Sequence, residues 1–213
     1  MAILQTVEIP GYAEAVRRES RLRDTAFLDG LEMVCNEEVR PLCLQTLIWL
    51  EQARNGFVIP CKFDDDAEML AHAVELLYFS TPGFKPPATP RFRFWRAFID
   101  GAREQVFMRR VLRSNEPQEV VSGVSEWIQD AFMDAPAGGG KNEVRAPTYA
   151  SHPAYIVDKF AAAGLPFTYN EILNMPLRRL WQHWRLAVKR LHDMPISNPS
   201  DELAVDYLAK VKT

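Results

Sequence analysis

Pro176-Leu177-Arg178-Arg179-Leu180-Trp181-Gln182-His183-Trp184-Arg185-Leu186-Ala187-Val188-Lys189-Arg190-Leu191 decides the fold class of this chain. Leu177, Leu180, Trp181, Trp184, Val188 and Leu191 recur at helical spacing and form one apolar stripe, with Arg178, Arg185 and Lys189 largely outside it. Pro176 opens the segment where a missing backbone donor costs nothing. The reading is an amphipathic helix whose aromatic residues belong to a core and whose cations are solvated.

The same grammar extends outward in both directions, because Pro and Gly fall between periodic segments. Thr168-x-x-Glu171 is a capping box opening a helix to Leu173, and Pro153 to Ala163 and Pro199 to Val211 complete the C-terminal set. Upstream, Glu116-Pro117 begins a helix carrying Val120, Val124, Trp127 and Ile128, in which Gly123 is a tolerated weak point. Phe92 to Arg113 and an acid-started helix after Asp64, Asp65 and Asp66 precede it. Pro41 to Arg54 reads as a helix with Pro41 in its first turn and Asn55-Gly56 as its stop, and Phe57-Val58-Ile59 as a buried connector. Tyr12 to Arg23 and Thr25 to Val34 are the first two helices. The expectation is an all-α bundle of about nine helices, in two parts: 1–133, and 153–213 packed on it. Between them, 134–152 contains Gly138-Gly139-Gly140 and two Pro and has no period, so it reads as a mobile loop.

Composition sets limits on function. With 47% apolar and 25% charged residues the chain has the makings of an ordinary core. No window approaches the roughly 20 apolar residues that span a bilayer, so no membrane role is expected. Cys35, Cys43 and Cys61 are odd in number and lack C-x-x-C spacing, which suits buried thiols in a reducing cytoplasm. Gly138 to Lys141 fails as a phosphate loop, since Ala135 and Asn142 stand where Gly and Ser or Thr are required. Glu68, His72 and Glu75 share one side of a helix, but no second ligand pair accompanies them, and an ion pair is the simpler reading. There is no G-x-S-x-G elbow. No catalytic residue, cofactor, metal or small-molecule substrate is expected.

Charge is segregated. Segments 91–113 and 176–191 each carry a formal +5, which leaves the remainder of the chain at −13 for a whole-chain charge of −3. Arg109, Arg110, Arg178, Arg185 and Lys189 are therefore the candidate partner-binding residues. Their faces could meet an acidic protein surface, including that of another copy, or nucleic acid through segments 91–113 and 176–192.

The order of short motifs resembles a known group. Val39-Arg40-Pro41-Leu42, Asn55-Gly56-Phe57, Leu77-Tyr78-Phe79-Ser80-Thr81-Pro82-Gly83-Phe84, Ile172-Leu173-Asn174-Met175-Pro176 running on to Arg185, and Asn198-Pro199-Ser200-Asp201 are similar to those of small helical proteins encoded among the tail genes of tailed bacteriophages. Tail assembly chaperones and baseplate-associated proteins are of this kind. The resemblance implies a non-enzymatic assembly or structural protein that contacts other phage tail or baseplate proteins, or itself, in the host cytoplasm or the virion.

Overall fold

The computed structural model describes residues 12–28, 30–59, 63–84, 93–133, 135 and 152–192. Among them are eight helices: α1 (Tyr12–Thr25), α2 (Leu44–Ala53), α3 (Asp66–Ser80), α4 (Arg93–Ser114), α5 (Pro117–Ala131), α6 (His152–Ala162), α7 (Tyr169–Asn174) and α8 (Leu177–Leu191). Of the expected loop over 134–152, residues 134 and 136–151, with the Gly138 to Lys141 run, lie outside the described residues, as does the expected helix from Pro199 to Val211, while His152 already belongs to α6.

Helix starts follow the sequence signals. Asp65 accepts from the Glu68 amide at 2.7 Å ahead of α3. The Glu116 amide donates to the Glu119 carboxylate at 3.0 Å with Pro117 next in line, and the Thr168 amide donates to Glu171 at 2.7 Å. Each satisfies a donor that the helix itself cannot.

The expected helix over Thr25 to Val34 is absent. α1 ends at Thr25, and β1 (Glu32–Val34) pairs antiparallel with β2 (Glu37–Val39), Val34 opposite Glu37 and Glu32 opposite Val39. Cys35 and Asn36 form the two-residue turn with φ of 50° and 60°, the left-handed pair that matches hairpin twist. Val34 and Val39 face inward while Met33 and Glu38 face out, a period of two that a helix cannot reproduce.

α2 also begins later than Pro41. Cys43 bridges to Pro176, and the Leu177 amide donates to the Leu42 carbonyl at 2.7 Å, so 41–43 are held extended. At the other end Arg54, not Gly56, takes the left-handed conformation, φ 61°. Asn55 is fully buried and satisfied: its amide nitrogen donates to the His72 carbonyl and the Glu75 carboxylate at 2.8 and 2.7 Å, and its oxygen accepts from the Phe57 amide at 3.0 Å.

α3 is central, packed on α2, α4, α5 and β2. Ala73, Val74, Leu76 and Leu77 have no exposed surface. Phe160, Ile172, Leu173, Leu177, Leu180 and Trp181 join the same apolar cluster, so α6, α7 and α8 share one core with the N-terminal helices.

Gly123 explains itself here. A Cβ on it would lie 2.9 Å from Cys35 Sγ, and that thiol rests against the Glu119 and Val120 carbonyls. Burial and the neighbouring Glu119 push the thiol's pKa up, so it stays protonated. Gly123→Ala gains about 1 kcal/mol of helix propensity but overpacks the turn, and a net loss of roughly 1–2 kcal/mol is expected by urea unfolding. Cys35→Ala added to it should restore most of that loss. A stabilised single variant would show that the hairpin turn is not seated on α5.

Candidate functional site

The hairpin and the end of α1 border a cleft of about 500 Å³, lined by Arg21, Leu22 and Thr25 of α1 and by Leu31 and Met33. A recess of about 280 Å³ adjoins it, sharing Leu28, Gly30, Pro41 and Pro176. Of the lining residues Leu28 is 68% exposed, Leu31 48% and Met33 65%, and Phe27, next to Leu28 in the chain, is 48% exposed. A scattered exposed apolar residue needs no explanation, whereas three gathered within six residues at a cleft do.

The floor of the cleft is a polar knot. Arg178 at the start of α8 is ion-paired with Glu32 of β1, and Trp127 Nε1 of α5 donates to the other Glu32 oxygen at 2.5 Å. The Arg178 side chain is 10% exposed and that of Glu32 22%. Burial lowers the pKa of Arg178 from its ordinary value, yet guanidinium remains charged. Asp130, also lining the cleft, is bound by Arg18 at 3.2 Å.

The rim is held from behind by α8. Arg179 Nε donates to the Ala26 carbonyl at 2.9 Å, and its guanidinium lies 5.4 Å from the Phe27 ring centroid. His183 meets Phe27 edge-on at 5.6 Å and Phe167 at 4.9 Å. Burial first, then the charges of Arg179 and Arg190, lower its pKa, so this imidazole is neutral at pH 7 and packs as an aromatic.

The residues singled out in the sequence are dispersed. Arg178 is buried in the knot and is not on the solvated face with Arg185 and Lys189, which are partly exposed on α8. Arg109 and Arg110 are exposed on α4. Arg110 is engaged, with Nε donating to Glu37 at 2.8 Å and its guanidinium 5.1 Å from the Phe107 ring. α4 packs on α3, while α8 packs on α1 and α5. Sequence reasoning overlooked Phe27, Leu28, Leu31, Met33 and Glu32. Gly30 and the alternation around Cys35-Asn36 were the available signals.

The His72 ring lies between two carboxylates of its own helix, with Nε2 3.9 Å from Glu68 and Nδ1 3.6 Å from Glu75. Glu104 lies near enough to Glu75 that its pKa is raised, by burial first and then by that charge. Among the described residues no group of His, Cys, Asp and Glu has the arrangement of a metal site. No helix among them is long and apolar enough to cross a membrane.

No protein-family model matches this chain, and no curated protein or solved structure matches it either.

Proposed function

We propose that the chain is a non-enzymatic assembly or structural protein of a phage tail or baseplate, acting through protein–protein contacts. The observation that carries the contact-making part of this reading is the group Leu28, Leu31 and Met33, 48–68% exposed and lining a cleft. Apolar surface concentrated in this way is the ordinary mark of a site that a second protein covers. The phage setting rests on the motif order described above. The alternative, nucleic-acid binding through segments 91–113 and 176–192, draws less support, because Arg178 is buried with Glu32 and Arg110 is tied to Glu37.

The test is co-expression with the tail and baseplate proteins of the same genome, one at a time, followed by affinity capture. At least one is expected to be retained, and Leu28→Glu combined with Met33→Glu should abolish retention while leaving the thermal melt nearly unchanged, since both side chains are more than half exposed. Capture of none, or capture indifferent to the double variant, would sink the proposal.

A further inference from the structure

The two edges of the hairpin are not equivalent. β2 is covered: α3 packs on it, the Arg40 amide donates to the Ser80 carbonyl at 2.7 Å and Arg40 Nη2 to the Thr81 carbonyl at 2.9 Å. β1 also has a helix, α5, packed against it, but it borders the cleft. With Val34 and Glu37 closing the turn, the ladder bonds fall on that pair and on Glu32 with Val39, so the N–H and C=O groups of Met33, and of Leu31 two residues back, point away from β2. Among the described residues neither makes a further backbone hydrogen bond. Their side chains emerge together on the exposed face, and Leu28 extends that face.

Arg21 of α1 lines the same cleft, exposed and in no ion pair among the described residues. The other charges lining the cleft are neutralised, Glu32 by Arg178 and Asp130 by Arg18. The cleft thus offers an occupant three things: an open strand edge, an apolar face and one unneutralised cation.

We propose that β1 receives an extended segment of a partner protein as a third strand, a segment with alternating apolar residues and a carboxylate that meets Arg21. This deepens the protein–protein reading above and rests on it. The added strand takes its affinity from the main-chain groups of Leu31 and Met33 and its specificity from side chains that cover Leu28 and Met33 and pair with Arg21. A helix laid in the same groove would use the apolar face but not the strand edge.

Proline separates these cases, because it removes an N–H that the fold does not use at an edge position where proline is tolerated. The full chain is panned against a displayed random-peptide library, and the recovered peptides are measured on four proteins. Peptides with alternating apolar residues and an acidic position are expected. Met33→Ala should weaken them only a few-fold, Met33→Pro by at least about tenfold, and Arg21→Glu should abolish the preference for the acidic position. Should Met33→Pro melt early, Leu31→Pro replaces it. An empty selection, or peptides that bind Met33→Pro as well as the parent, overturns strand addition. Self-association that the same proline abolishes would make the occupant a second copy and overturn the assignment to a partner. Because the library needs no tail protein, failure here is distinguishable from failure of the co-expression test. A tail protein captured at full strength by Met33→Pro would leave the assembly reading standing without the strand.

Discussion

Arg178→Ala is expected to lose about 3–5 kcal/mol of folding stability, the usual cost of removing one partner from a buried ion pair. The ion pair spans the chain, from β1 to the first turn of α8, and the Arg178 side chain is only 10% exposed. Removing it leaves the Glu32 carboxylate in the cleft floor with the Trp127 indole N–H as its remaining partner. A normal domain has only about 5–15 kcal/mol in total, so the midpoint in urea should fall by a large fraction. The pair's net worth is a separate matter, since replacing both charges by apolar groups of similar size is often neutral. Arg178→Met with Glu32→Leu should therefore recover most of the loss, while the Trp127 N–H turns to solvent in the cleft. By contrast Arg185→Ala with Lys189→Ala, on the partly exposed face of α8, should cost about 0–1 kcal/mol. Charge reversal across Arg178, Arg185 and Lys189 together, harmless were all three solvated as the helix pattern implies, should instead destabilise the protein strongly through Arg178. An Arg178→Ala midpoint equal to the parent's would show that the knot contributes nothing.

That contrast marks where the sequence stops being legible. Helix starts are written in neighbouring residues: Asp65 with Glu68, Glu116 with Glu119, Thr168 with Glu171. Periodicity over fifteen residues suffices for α3, α5 and α8. Three-residue strands offer no such run, and the turn at Cys35-Asn36 lacks the glycine that flags most hairpins. The exposed rim became invisible with the hairpin, because a helix over Thr25 to Val34 would have turned Leu28 and Leu31 to one face as core. Arg178 sits at the border of the apolar stripe, and what draws it inward is Glu32, 146 positions earlier. Local pattern cannot report a partner at that separation. The segregated charge was visible, but its use was not, since Arg110 is tied to Glu37, 73 positions away.

Trp181 and Trp184, equivalent on the sequence's apolar stripe, should respond differently. Trp181 is 8% exposed, belongs to the common core and lies 6.4 Å from the Phe132 ring, whereas Trp184 is half-buried against Phe160 at 5.3 Å. Trp181→Ala should cost about 3–5 kcal/mol, as large aromatic truncations in a core do, and Trp184→Ala clearly less, because solvent can fill the space it vacates. The indole N–H of Trp181 adds a second distinction: it is buried without a hydrogen-bond partner among the described residues. An unsatisfied buried donor costs about 1–3 kcal/mol, so Trp181→Phe removes a penalty along with part of the ring. The two effects oppose each other, and the phenylalanine variant should melt close to the parent and far above the alanine variant. Thermal melts of Trp181→Ala, Trp181→Phe and Trp184→Ala decide it. If phenylalanine costs as much as alanine at position 181, shape rather than polarity governs that site; if the two alanine variants melt together, α8 is not packed in the orientation that brings Trp181 inward and, with it, Arg178 onto Glu32.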